Sequence, residues 1–260
     1  MVRTGVVFRP QSPPEHLRAV VEAADAAGVD ELWLWKDCFL EGGLTTAALA
    51  LAWSTRLRVG IGLLPVPLRN PAVVAMEAAV LARAFPDRFV LGLGHGVLDW
   101  MAQVGARAAS PMTLLREHTT AVRRLLAGER VEVAGEHVRL DGVALDWPPE
   151  HPPTVLVGAR GPKTLRLAGE VSDGVLLDAE VTGPDEVRRG RALAQEGRDG
   201  AGRPGRVDVT VYAEVATGDV TPDAVADRVG LLADAGADAV VLQSDEARPD
   251  PSALLAALSR

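Results

Sequence analysis

Residues 154–178, TVLVGARGPKTLRLAGEVSDGVLLD, hold one complete structural repeat. Thr154 to Val157 is a short apolar run bounded by glycine, which reads as a buried strand. GARG is a turn, and Pro162 suits the first position of a helix that runs on through Leu165 to Ala168. A second apolar run, Asp173 to Leu177, follows directly. Strand, helix and strand in this order make a parallel pair joined by a right-handed crossover.

The same alternation continues in both directions. Upstream lie strands at Val2 to Phe8, Glu31 to Trp35, Leu57 to Leu63 and Arg88 to Leu93. They alternate with helices that open after Pro13 and Pro14 and close at Gly28, and that span Leu44 to Trp53 and Pro71 to Ala84. The fourth strand leads into a long excursion with a helix near Pro111 to Ala127 and a hairpin signature, RVEVAGEHVRL, of period two. Downstream lie a helix from Pro184 to about Ala194, a strand at Val207 to Val215, a helix from Pro222 to Ala235, a strand at Ala239 to Leu242 and a closing helix from Pro251. The stretch EGRDGAGRPGR reads as an exposed loop. Eight βα units predict an α/β fold of one domain over residues 1–260, a (β/α)8 TIM barrel with an insertion after strand four, in preference to an open doubly wound sheet.

Composition agrees with a packed domain: 48% of residues are hydrophobic and 24% charged. A formal net charge of −8 opposes broad attraction to nucleic acid or to an anionic membrane, so an anionic ligand needs a local basic site. Only two lysines occur, Lys36 and Lys163. One cysteine, Cys38, excludes an internal disulfide and a cysteine-rich zinc site, and with no apolar run of membrane-spanning length the expected location is the cytoplasm.

A barrel of this kind carries its chemistry in the loops that follow its strands. Those loops hold Arg9, the run Lys36 to Cys38, GLLPVPLRN, GHG, GARGPK, Asp178, Glu214 and Gln243, whereas the opposite face holds ordinary connectors. In GARGPKT (158–164) the glycines Gly158 and Gly161 allow close backbone approach, with Ala159 between them. Pro162 starts the helix, and Arg160 and Lys163 add positive charge where a helix N-terminus already favours an anion. A phosphate is the expected guest, and a plain strand-to-helix turn with solvated charges is the alternative. The spacing is not that of a P-loop. GLGHG (92–96) has Val97 where a dinucleotide fingerprint needs glycine, so Gly94 and Gly96 read as close-approach positions, with His95 as a donor, a proton carrier or a structural hydrogen bonder. Asp37 either faces a ligand or caps a turn, and Cys38 reads as a small buried hydrophobe. Met76, Met101 and Met112 read as packing residues. With no metal constellation and no nucleophile elbow in the sequence, a cofactor is expected to carry any difficult reaction.

The stretches KDCFLEGGLTTAALALA, GIGLLPVPLRNPAVVAMEAAVLARAFPDRFVLGLGHGVLDWMAQVGARAASPMTLLREHT and GARGPKTLRLAGEVSDGVLLD resemble the luciferase-like monooxygenase superfamily. The resemblance is greatest to the branch that uses the deazaflavin coenzyme F420, including glucose-6-phosphate dehydrogenases and methylenetetrahydromethanopterin reductases. It covers most of the chain through Asp178 and is specific in the NPA, GHG and GPKTL segments. It implies hydride transfer between F420 and a small organic substrate, with an FMN-dependent monooxygenase and a non-catalytic flavin-binding protein as the alternatives. It also implies a homodimer, and a reductase partner that would supply the reduced coenzyme.

By residue, the resemblance places Asp37 and Cys38 beside the ring and a non-prolyl cis peptide at Ile61 to Gly62 against one ring face. Gly94, His95 and Gly96 match the ring-contact loop, and Gly158, Ala159, Arg160, Gly161, Pro162 and Lys163 match the phosphate cradle. His95, Asp37 and Glu214 are the candidate catalytic residues. Cys38 replaces the histidine of many F420-dependent relatives and Val97 replaces a glutamate, so proton transfer is not assigned to those two positions.

Overall fold

Among the described residues five α-helices begin on a proline, and those prolines punctuate the barrel. The computed structural model describes residues 2–35, 38–178 and 183–259. In chain order its elements are β1 (Arg3–Phe8), α1 (Leu17–Ala27), β2 (Glu31–Trp35), α2 (Gly43–Trp53), β3 (Arg58–Pro65), α3 (Pro71–Ala84) and β4 (Phe89–Gly94). The excursion follows, with a short helix α4 (Leu98–Gln103), α5 (Pro111–Leu126) and the antiparallel pair β5 (Val131–Ala134) and β6 (Arg139–Val143). The chain continues with β7 (Thr154–Gly158), α6 (Pro162–Val171), β8 (Gly174–Leu177), α7 (Pro184–Gly200), β9 (Asp208–Glu214), α8 (Pro222–Asp234), β10 (Ala239–Gln243) and α9 (Ser252–Leu258). Helices α3, α5, α6, α7 and α8 are the five that open on proline, where the missing N–H costs no helical hydrogen bond.

Eight parallel strands close into a barrel in the order β1-β10-β9-β8-β7-β4-β3-β2, which is the expected TIM barrel with its insertion after the fourth strand. Side chains alternate across each strand. One set, including Phe8, Leu34, Ile61, Leu93 and Leu242, packs outward against the helices. The other set fills the lumen with Val7, Trp33, Leu156, Tyr212 and Val241. Trp33 and Tyr212 meet edge to face at 5.7 Å between ring centroids. Glycines on β3 make room for them: a Cβ at Gly60 would lie 2.4 Å from the Trp33 ring, and one at Gly62 would lie 2.0 Å from the Tyr212 hydroxyl. The lumen is therefore a packed plug and not a pore.

Below the plug, Glu31 is 1% exposed and accepts hydrogen bonds from Arg3 Nε at 2.7 Å, Arg58 Nη1 at 2.6 Å and Trp33 Nε1 at 2.7 Å. The charge is buried because three donors hold it.

EGRDGAGRPGR is not wholly a loop, since its first five residues are the end of α7. Gly202 and Gly205 do turn the chain with positive φ, but Gly197 serves helix packing instead. A Cβ at Gly197 would fall 2.0 Å from the Arg166 carbonyl oxygen, and one at Gly169 on α6 would fall 1.7 Å from that of Ala194. Backbone meets backbone there, which only glycine permits.

Candidate functional site

The lumen set ends at the C-terminal mouth in two unlike arcs. On β3, β4 and β7 the final inward positions are Gly62, Gly94 and Gly158. Leu63 occupies the space that Gly94 and Gly158 leave: its Cδ2 lies 2.4 Å from where a Cβ would stand at either. Leu63 is half-buried and forms an apolar floor to this side of the mouth. On β1, β9 and β10 the corresponding positions are Arg9, Glu214 and Gln243, a polar arc. Trp35 on β2 joins the two arcs, with the Arg9 guanidinium carbon 4.9 Å from its ring centroid.

The structure moves one expected feature. The non-prolyl cis peptide at the end of β3 is Gly62–Leu63, not Ile61–Gly62, and a second one is Cys38–Phe39. The pairing of β3 with β4 shifts register between Ile61 and Leu64, so the irregularity lies one residue further along. Ile61 itself is fully buried on the helix-facing side of the wall. Leu63 and Trp35 escaped the sequence reading: stepping by two from Trp33 points to Trp35, but the same step from Gly60 leads to Gly62 and Leu64, and Leu63 reaches the mouth only through the register shift after Ile61.

The turn Gly158 to Lys163 leads into α6 as expected. Pro162 is the first helical residue, and the N-cap Gly161 offers no side-chain oxygen to the free amides of the first turn. Lys163 is exposed, and open space surrounds the position of a Cβ at Gly161. Ala159 is buried, and its N–H is taken by the Leu176 carbonyl at 3.2 Å. Arg160 forms an ion pair with Asp178, so its charge is engaged before any anion arrives.

After β4, Gly96 has φ of +70°, a left-handed conformation that favours glycine. This turn sets His95 half-buried at the rim. Burial pulls the His95 pKa below its ordinary value, opposed in part by a hydrogen bond to the Pro111 backbone. Since proline has no N–H, the ring nitrogen donates there, and Nδ1 is left buried without a partner as an acceptor. Glu214 is 51% exposed and lies three strands from His95 around the barrel, so the structure does not bring these two candidates together as a pair. Asp37 lies outside the described residues. Cys38, partly exposed, lines a cavity of about 190 Å³ with Phe39, Leu64 and Leu68 between the loops after β2 and β3. A larger cavity of about 360 Å³, lined by Arg3, Asp173, Arg206 and Asp238, opens at the other end of the barrel, where residues serve stability.

A second buried histidine titrates without belonging to the mouth. His118 on α5 is 1% exposed, and its Nε2–H donates to the Arg69 carbonyl at 3.1 Å. Burial lowers its pKa from 6.5 to about 4. The unfolded chain takes up a proton below pH 6.5 that the folded chain refuses, so stability is complete above pH 6.5 and falls toward pH 4. The expected loss across this window is about 3 kcal/mol, at roughly 1.4 kcal/mol per pH unit. His118→Gln keeps a donor for the Arg69 carbonyl and should flatten the slope in urea unfolding. Equal slopes for the two proteins would show that His118 is not the source.

The model of the family described as luciferase-like monooxygenase matches residues 3–255. The chain belongs to this family. Among its relatives is the 5,10-methylenetetrahydromethanopterin reductase of Methanolobus tindarius, 33% identical over 211 residues that cover 80% of this chain and 64% of that protein. An F420-dependent glucose-6-phosphate dehydrogenase of Mycobacterium avium (strain 104) is 31% identical over 64% of this chain and 54% of its own length. The chain thus spans less than two thirds of these curated relatives. In fold it is similar to the coenzyme F420-dependent tetrahydromethanopterin reductase of Methanopyrus kandleri, with a TM-score of 0.84 at 19% identity, covering 99% of this chain and 96% of that one. It is similar also to the FMN-bound oxygenating constituent of 3,6-diketocamphane monooxygenase of Pseudomonas putida, with a TM-score of 0.81 at 16% identity, covering 99% and 96%. Both likenesses are of the family barrel.

Proposed function

We propose that this member of the family is an oxidoreductase that binds the deazaflavin coenzyme F420 at its barrel mouth and transfers hydride between it and a small organic substrate. The observation that carries the reading is the apolar Leu63 floor set beside the uncapped N-terminus of α6. A flat heterocycle fits the first and a phosphate the second, and the F420-dependent relative at 31% identity supports the choice of ring. When bound, F420 supplies a ring carbon able to give or accept hydride.

The chain's own residues account for the rest. Leu63 and Trp35 support the ring, while the first-turn amides of α6 and Lys163 receive the phosphate. His95 Nδ1 accepts a hydrogen bond or holds a proton at the rim. Asp37 belongs to the proposal through its place in the sequence. Micromolar affinity takes about 8 kcal/mol. Two or three charge-assisted hydrogen bonds of about 1.5–3 kcal/mol each fall short of that once immobilisation is subtracted. Both the anion site and the apolar floor are needed.

A fluorescence titration of the purified protein is expected to show saturable, micromolar binding of F420 and weaker binding of FMN. Tighter binding of FMN, with oxygen consumption on reduction, would replace this reading with the monooxygenase. Binding of F420 with no turnover across a broad substrate panel would replace it with a carrier.

The homodimer is part of the same proposal. On α3, Val73, Met76 and Val80 are 44%, 58% and 65% exposed and lie on one face at helical spacing, and Leu49 on the neighbouring α2 is 47% exposed. Met76 is therefore more exposed than the sequence reading expects of a packing residue, and this apolar stripe suits an identical stripe across a twofold axis. Val80→Glu should shift the protein to half its apparent mass in size-exclusion chromatography. A monomer before substitution would end the dimer assignment.

A further inference from the structure

The polar arc leaves hydrogen-bonding groups unused. Arg9 is 5% exposed, and its Nη1 donates to the Ser244 carbonyl at 2.7 Å while its Nε reaches Gln11 Oε1 at 3.4 Å. Neither contact engages Nη2. Gln243 is 1% exposed and donates through Nε2 to Glu214 Oε2 at 3.4 Å, yet its Oε1 is buried without a partner. Ser244, 4% exposed, buries its Oγ in the same condition. A folded chain rarely leaves such groups unmatched, and a cluster of them beside a buried cation marks a place where another molecule completes the bonding. Glu31 at the other end of the lumen is the contrast, with its donors all supplied by the protein.

We propose that Arg9, Gln243, Ser244 and Glu214 form the substrate subsite of this oxidoreductase, and that it takes a neutral hydroxycarbonyl compound in preference to a carboxylate. The proposal rests on the function argued above and names its substrate class. Charge decides between the two chemistries. Arg9 Nη1 stands 3.7 Å from Glu214 Oε2, so cation and anion largely cancel. An incoming carboxylate would meet the like charge of Glu214, whereas a carbonyl oxygen accepts from Arg9 without that repulsion. Glu214 and Gln243 Oε1 are acceptors, which calls for a ligand hydroxyl close to its carbonyl.

Position agrees with chemistry. In the ring of strands, β1 lies four steps from β7, so Arg9 and the α6 N-terminus face each other across the mouth. A coenzyme anchored by its phosphate at α6 can therefore extend its ring toward the polar arc. When bound, the reduced deazaflavin would supply hydride: its ring C–H bond would break with both electrons and leave the ring oxidised, a C–H bond would form at the carbonyl carbon, and the C=O π pair would move to oxygen. Arg9 stabilises the growing negative charge, and the oxygen then takes a proton from water at the open rim. Oxidation of the alcohol runs through the same groups in reverse.

The test uses hydroxyacetone as probe and glycolate as its carboxylate counterpart, with binding read by saturation-transfer NMR and Tm measured on every variant. Loading of F420 is read first, by its own fluorescence. Failure to load removes the proposed function, and the unloaded chain then decides the subsite by the same criteria. Hydroxyacetone is expected to bind at least about tenfold more tightly than glycolate. Ser244→Ala should weaken hydroxyacetone about fivefold while Tm holds or rises, because the hydroxyl has no partner to lose. Arg9→Lys, which keeps the charge and loses the second N–H, should weaken it further. Tighter binding of glycolate would overturn the proposal. So would a Ser244→Ala variant that loses Tm and binds hydroxyacetone as before, which would assign the hydroxyl to an internal water.

Discussion

Glu31→Ala is expected to destabilise the protein by about 3–5 kcal/mol, the cost of breaking a buried ion cluster by removing one partner. The carboxylate is 1% exposed and receives Arg3, Arg58 and the Trp33 indole. Its loss leaves two arginines side by side and the indole N–H without an acceptor, beneath a ring with no room to move. Arg3 also reaches Asp208 at 2.8 Å and so is not stranded, which keeps the loss within that range. The surface pair Arg18–Glu22, at 2.9 Å with both side chains more than half exposed, is the internal control, and Glu22→Ala should cost no more than about 0.5 kcal/mol. Urea unfolding of the two variants reads the difference. A Glu31→Ala midpoint as close to the parent as that of Glu22→Ala would mean that the barrel base is not held by this charge.

The second large effect is on the coenzyme. Gly158→Val is expected to weaken F420 binding by more than about tenfold, and the structure changes the reason. The new side chain would project into the space held by Leu63, whose Cδ2 is 2.4 Å from the Cβ position, and would displace Leu63 upward into the mouth. An effect transmitted through Leu63 is non-additive, so Leu63→Ala should restore much of the affinity lost in Gly158→Val. If the double variant binds no better than Gly158→Val alone, the glycine acts on the phosphate directly and the Leu63 floor is not what supports the ring.

The barrel was legible in the sequence because its two periodicities are unmixed. Apolar runs such as Thr154 to Val157 and Ala239 to Leu242 are too short for helices, and prolines 71, 111, 162, 184 and 222 announce the helices between them. Glycine was the residue most easily misread. Gly197 looked like a turn because local sequence records conformational freedom but not the approach of a distant backbone, here that of Arg166. Gly94 and Gly158 looked like ligand contacts, and the structure shows that each first makes room for Leu63. The rim loops were identifiable from their place after the strands, yet the pairing of Arg160 with Asp178 was not, since those residues belong to neighbouring strand ends separated by a whole helix. Glu214 and His95 were read as one catalytic set because order along the chain says nothing about position around a ring.

The edge-to-face rings of Trp33 and Tyr212 make the barrel, among the described residues, a well closed at the bottom and open at the mouth. Whatever lies deepest must enter first and depart last. A coenzyme resting on the leucine floor would have to enter before a reactant seated over it and leave after it, which would give the proposed reaction a compulsory order.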